Sequence, residues 1–222
     1  MSVYHSGIGM TSQRTRIRMV ERLREQGITD EVVLEAMNAV PRHLFMEAAL
    51  ASRAYEDVSL PINFGQTISS PWIVARMTAL LRENATHPLE KVLEIGTGCG
   101  YQTAILARIA REVCSVERIG PLLTRTRIRL LKMGIRNVFL RHADGIPGLP
   151  EMGPFNGIIL TACIPEIPEA LLKQLAVGGR AVFPRGSRRQ RLCLIDHTAE
   201  GFVETVLDEV VFVPMLPGTV SR

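Results

Sequence analysis

Val92-Leu93-Glu94-Ile95-Gly96-Thr97-Gly98-Cys99-Gly100-Tyr101 is the stretch whose reading decides the fold. An apolar run carrying one acidic residue leads into glycines at 96, 98 and 100, and a helix-forming segment follows from Tyr101. The pattern predicts a strand, a tight loop and a helix start. Backbone stripped of side chains lets a bulky ligand approach, and a helix N-terminus offers free N–H groups. A dinucleotide fingerprint would place its last glycine where Tyr101 stands, and a P-loop would need Gly-Lys-Ser/Thr, which is absent. A glycine-rich turn in some other α/β protein is the plainer alternative.

Strands and helices alternate downstream of the loop. Strands are expected at 91–95, 113–117, 138–142 and 157–161, and helices over 100–110 and 121–132. The Gly/Pro-rich stretch from Asp144 to Pro154 reads as a loop. A helix over 168–175, closed by Gly178-Gly179, precedes strands at 180–183, 192–196 and 202–213. Alternation of this kind implies a parallel sheet with right-handed crossovers. The last strands have no helix between them, so at least one is antiparallel.

Upstream lies a small helical lead-in. One helix starts at Ser12, carries Val20 and Leu23, and stops at Gly27. Asp30 can cap a second whose stripe is Val33, Met37 and Val40, ended by Pro41. A third short helix is expected from Leu44 to Ala51, then an irregular stretch over 55–64. Ser70 suits an N-cap and Pro71 a first helical residue, with the helix running to about Leu81. The expected fold class is therefore α/β: a doubly wound, mostly parallel sheet with an antiparallel strand near the C-terminus. Residues 1–82 form the lead-in and a substrate-side loop and 83–222 the core, together one compact unit.

With 222 residues, 46% of them hydrophobic, the chain can bury one large core, and a net charge of +4 is weak reason to expect a nucleic-acid partner. Cys99, Cys114, Cys163 and Cys193 form no C-x-x-C pair, and no histidine stands at ligand spacing from them. No metal site is expected, and reduced thiols point to a cytoplasmic protein. Residues 1–10 lack the apolar run of a secretory leader, and no segment approaches the ~18–20 apolar residues of a membrane span. The run Arg185-Gly186-Ser187-Arg188-Arg189-Gln190-Arg191 has no interleaved aromatic for base stacking, so an exposed loop is the better reading.

In an open parallel sheet a ligand sits at the carboxyl ends of the strands. That rule selects Glu94 to Gly100, Glu117, Asp144-Gly145 and Thr161-Ala162-Cys163. Glu117 lies about 20 residues past the glycine loop, where an acidic residue accepts from ribose hydroxyls. The plainer readings are a surface charge for Glu117 and a turn for Asp144-Gly145.

The glycine spacing resembles the S-adenosylmethionine loop of doubly wound, Rossmann-like methyltransferases. From about Ser12 to Leu216 the chain resembles the bacterial protein-L-isoaspartate O-methyltransferases. The stretches that carry this are Val40-Pro41-Arg42, Leu60-Pro61-Ile62, Gly65-Gln66-Thr67-Ile68-Ser69, Val92 to Gln102, Val116-Glu117-Arg118-Ile119 and Val211-Phe212-Val213-Pro214. The resemblance implies S-adenosyl-L-methionine as cofactor and S-adenosyl-L-homocysteine as product. It implies Glu94, Gly96, Thr97, Gly98 and Gly100 around the methionine end, Glu117 at the ribose, and Asp144 and Gly145 at the adenine. It implies Ser69, with Thr67, beside the substrate carboxylate, in a protein-repair reaction on L-isoaspartyl residues of proteins and peptides.

By position alone Ser69 is a loop serine one residue before a capped helix, and capping explains it as well. Cys99, Ile146, Asn156-Gly157 and Thr161-Ala162-Cys163-Ile164-Pro165 depart from the family's usual pattern. A same-fold methyltransferase with another acceptor such as RNA, and a catalytically silent cofactor-binding module, stay open as alternatives. The implied chemistry needs no general base, because a carboxylate is already anionic at neutral pH. Asn156-Gly157 is a sequence prone to deamidation, which strand entry is expected to suppress in the folded chain.

Overall fold

The computed structural model describes residues 7–83, 85 and 87–221. Helix α1, Gln13–Glu25, starts where Ser12 Oγ accepts from Thr15 N, and it buries Met19, Val20 and Leu23. Gly27, at φ +94°, ends it. Helix α2, Glu31–Ala39, is capped by Asp30, whose Oδ1 accepts from Val32 N and Val33 N at 2.9 and 3.2 Å. The third helix expected at 44–51 is instead two 3-10 turns, Arg42–Phe45 and Ala48–Arg53, with extended backbone at Met46 and Glu47. Arg42 is the cause. It is fully buried, donates from Nε to Ala54 O at 2.8 Å, and holds its guanidinium over the Tyr101 ring at 4.8 Å. A straight helix would carry the chain away from that anchor.

The stretch expected to be irregular closes on a short hairpin. Strand β1, Leu60–Pro61, pairs antiparallel with β2, Thr67–Ile68, around a turn in which Phe64 and Gly65 take φ of 64° and 66°. Helix α3, Pro71–Arg82, follows, capped by Ser70 Oγ accepting from Ile73 N at 3.4 Å.

The main sheet comprises β3 (Leu89–Ile95), β4 (Ala110–Glu117), β5 (Val138–His142), β6 (Phe155–Leu160), β7 (Leu175–Gly186), β8 (Gln190–Thr198) and β9 (Gly201–Val210). Their order is β5-β4-β3-β6-β7-β8-β9, the first five parallel. β8 runs antiparallel to both β7 and β9. Helices α4 (Tyr101–Ile109) and α5 (Gly120–Lys132) make the crossovers β3–β4 and β4–β5.

The helix expected at 168–175 is one turn, α6, Glu169–Leu172, and β7 already starts at Leu175, running through Gly178 and Gly179. The chain leaves the helix early because Gln174 O accepts from Phe155 N at 2.8 Å and Leu175 pairs with Phe155. β9 stops at Val210 rather than at 213, for after it the chain turns across the carboxyl end of the sheet.

Two apolar clusters cover the two sheet faces. Met19, Leu23, Leu34, Met37 and Phe45 of the lead-in share one with Val92, Val113, Ile159 and Val182 of the sheet. The other joins Leu93, Cys114 and Ile158 to Leu149, Leu171 and Phe183. At roughly 25 cal/mol per Å² of apolar area, burial on both faces is what holds helices and sheet together.

Candidate active site

Strand order reverses between β3 and β6, and a cavity opens there at the carboxyl ends of the strands. It contains about 830 Å³ of empty space counted with its open mouth. Its walls come from the β2 end (Gln66, Thr67, Ile68, Ser69), the loop after β3 (Ile95 to Cys99), the β4 end (Val116, Glu117, Arg118), Gly145, Thr161 and Ala162.

The glycine loop is drawn back under the sheet. Gly96 N and Thr97 N both donate to Val116 O, at 2.8 and 3.2 Å, and Gly100 N donates to Thr97 O at 2.9 Å. All three glycines have positive φ, but their surroundings differ. A Cβ on Gly96 would stand 2.3 Å from Thr161 Oγ1, which itself donates to Gly96 O. A Cβ on Gly98 would meet nothing nearer than Ile62 Cδ1 at 3.9 Å. A Cβ on Gly100 would strike Thr126 Cγ2 of α5 at 2.6 Å.

The three acidic residues are distinct in placement. Glu117 lines the cavity and shapes the loop: Oε2 accepts from Gly98 N at 2.8 Å and Oε1 from Ile119 N at 2.9 Å, leaving each oxygen a further lone pair. Asp144 is engaged behind the wall, Oδ1 accepting from Ile146 N at 2.9 Å and Oδ2 from Gly218 N at 2.6 Å. Glu94 is fully buried between β3, β4 and α4; its Oε2 accepts from Thr103 and Ser115 hydroxyls and its Oε1 has no partner. Burial pushes its carboxyl up to about 8, and the two hydroxyls only partly offset this.

Thus Gly96, Thr97, Gly98, Glu117, Gly145, Thr67 and Ser69 line one cavity, whereas Glu94, Gly100 and Asp144 are not among the residues that line it. Glu94 is in the strand interior, Gly100 packs α4 on α5, and both Asp144 oxygens hold backbone N–H groups. Ser69 is half-buried and its hydroxyl makes no hydrogen bond to any described residue, while the neighbouring Ser70 does the capping.

One further wall comes from late in the chain. Residues 213–216 cross the mouth as a strap. Cys163 N donates to Val213 O at 2.8 Å, Met215 N to Cys163 O at 2.7 Å, and Val220 N to Arg118 O at 2.7 Å. Asp144 and the Arg118 guanidinium both bind Gly218. The sole available signal was Val211-Phe212-Val213-Pro214, apolar residues ending in a proline that cannot prolong a strand.

Residues 14–219 match the family described as protein-L-isoaspartate(D-aspartate) O-methyltransferase. The chain belongs to the protein-L-isoaspartate O-methyltransferase family. Protein-L-isoaspartate O-methyltransferases of Nitrosomonas europaea and Nitrosomonas eutropha are 75% and 74% identical to it over 222 residues, the whole of each chain. A solved protein-L-isoaspartate O-methyltransferase superposes with a TM-score of 0.81 at 28% identity, over 90% of this chain and 65% of that one. A putative one from Plasmodium falciparum, solved with S-adenosyl-L-homocysteine, has the same fold, with a TM-score of 0.77 at 24% identity over 90% of this chain and 98% of that one.

As an isoaspartate O-methyltransferase the protein takes a methyl group from S-adenosylmethionine and places it on the α-carboxylate of L-isoaspartyl residues. The cavity fits such a cofactor in kind. It joins apolar walls for a purine (Ile95, Val116, Met215, Leu216) to carboxyl groups on its wall and behind it, with a glycine loop between. Among the described residues, no group of histidine, cysteine and carboxylate side chains is gathered to hold a metal ion, and no helix is long and apolar enough to cross a membrane.

Proposed function

We propose that, in this isoaspartate O-methyltransferase, Gly96, Thr97 and Gly98 hold the methionine end of the cofactor, Glu117 the ribose, and Gly145 with Met215 the adenine. Ser69 and Thr67 orient the acceptor carboxylate. The observation that carries this reading is that Ser69, whose hydroxyl makes no hydrogen bond to any described residue, lines the same cavity as the glycine loop, with capping assigned to Ser70. The bound cofactor supplies a methyl group activated by a sulfonium.

The chain supplies alignment. A hydroxyl donates to one carboxylate oxygen without neutralising it, and the other oxygen stays nucleophilic. The strap, the β1–β2 hairpin and α4 keep water from the reacting atoms. Glu94, Gly100 and Asp144 serve the site from behind, by fixing the loop and the strap.

The natural partners are damaged proteins and peptides bearing isoaspartate, and the working compartment is the cytoplasm. Four buried free thiols support that compartment. Within the arginine-rich run, Arg185 of β7 is paired with Glu204 of β9 and Arg191 of β8 with Leu207 O of β9, which argues against a nucleic-acid role.

The test is methyl transfer to paired peptides containing isoaspartate or aspartate. Transfer is expected to the isoaspartyl peptide alone. Ser69→Ala should lower kcat by roughly 10²-fold or more while cofactor Kd moves less than about twofold. Unchanged kcat with a lowered melting temperature would make Ser69 structural.

A further inference from the structure

Glu94 is an unusual carboxyl for a protein interior. It is completely buried, and among the described residues one oxygen has no partner and no cation is set against it. β4 presents Ser115 and, two residues on, the Glu117 carboxylate; α4 presents Thr103; β6 sets Ile159 beside it. The charged neighbour is therefore of the same sign. An ionised carboxylate in this setting is costly, and a neutral one is the cheaper state.

Yet Glu94 is connected to the cavity. Its Oε2 accepts from Ser115 Oγ, which lies 2.7 Å from Thr97 Oγ1, and Thr97 lines the wall. We propose that Glu94 carries a proton in the cofactor-free enzyme and releases it when the cationic cofactor enters the adjoining cavity. Glu94 is then a positioning residue that senses ligand charge through the Ser115–Thr97 hydroxyl pair. This rests on the proposed placement of the cofactor along the glycine loop. The single bond broken is the carboxyl O–H. Its electron pair stays on Glu94, the proton passes to bulk buffer, and the net positive charge of S-adenosylmethionine offsets the new carboxylate. The raised titration of the buried carboxyl agrees with this.

The consequence is linkage. Cofactor affinity rises with pH, by up to about tenfold per pH unit where bound and free states differ by one proton, and levels off above about pH 8. Isothermal calorimetry of S-adenosylmethionine binding at pH 7, in buffers of different ionisation enthalpy, counts the protons. Release approaching one per cofactor is expected for the parent enzyme and near none for Glu94→Gln. Should Glu94→Gln fail to fold, Thr103→Val serves. Loss of one donor to the carboxylate should move the release profile to higher pH. Binding heats independent of buffer, full release retained in Glu94→Gln, or an unmoved profile in Thr103→Val would each overturn the proposal. Absence of any binding heat would overturn the cofactor placement instead.

Discussion

Gly98 and Gly100 share a positive φ and are two residues apart, yet they answer to different constraints. Gly100 is hemmed by Thr126 Cγ2, so Gly100→Ala combines backbone strain with a clash and should destabilise by about 2–4 kcal/mol in urea unfolding. Gly98 faces open space on the ligand side, so Gly98→Val should cost about 1–2 kcal/mol of stability and most of the S-adenosylhomocysteine affinity, read by calorimetry. Asn156 is the third instructive residue. It stands in β6, its Oδ1 accepts from Lys91 N at 3.0 Å, and a Cβ on the following Gly157 would meet Leu81 at 2.9 Å. Amide and backbone are both held, so attack by the Gly157 nitrogen needs local unfolding. Ageing at mildly alkaline pH, followed by labelled cofactor and peptide mapping, should mark position 156 chiefly in partly unfolded material. Equal marking of native protein would refute that protection.

At the scale of elements, the strap from Val213 to Val220 is held chiefly by hydrogen bonds to the segment after β6, Asp144 and β4's end rather than by burial; Pro214 and Leu216 are exposed. Asp144 is its side-chain latch. Asp144→Ala removes the acceptor from Gly218 N and from Ile146 N, at about 1–3 kcal/mol for hydrogen bonds to a charged group. The expected result is faster amide exchange across 215–219 and a several-fold weaker cofactor affinity, with the lead-in unaffected. Unchanged exchange in the strap would show that Asp144 does not hold it. The lead-in is anchored differently. Arg42 lies at its turn with its guanidinium on Tyr101, the first residue of α4 and part of the cavity wall, so helices far from the glycine loop in sequence fix its exit angle.

At the scale of the whole molecule, Glu94 couples stability to pH. Burial raises it from 4.5 to about 8. Between those values the folded protein keeps a proton that the unfolded chain has lost. The residue's effect on stability therefore worsens as pH rises from about 4.5 to 8 and is constant above. Melting temperatures of the cofactor-free enzyme from pH 5 to 8.5 should show Glu94→Gln gaining on the parent as pH rises. A gap that is flat with pH would place the Glu94 titration outside this window. Saturating cofactor should narrow the gap at high pH, since on the proposal above it binds the ionised parent more tightly than Glu94→Gln and so stabilises the parent more.

Local pattern by itself determined the alternation of strands and helices, the helix start at Ser12, the caps at Asp30 and Ser70, and the choice of carboxyl-end residues, because each depends on spacing within a few positions. The resemblance in motif pointed to the family. Tertiary structure decided what depends on contacts between distant segments. Arg42 reaching Ala54 O turned an expected helix into two tight turns, and Gln174 O meeting Phe155 N cut α6 to one turn. Pairing of Leu60 with Ile68 made a hairpin out of an irregular stretch. The strap closed a wall that no local period announces. Likewise the division among Glu94, Glu117 and Asp144, three acidic residues near the carboxyl side of the sheet, arises from which backbone N–H or hydroxyl each side chain meets. Such meetings are set by packing of β3, β4 and residues 213–220, and sequence spacing carries no record of them.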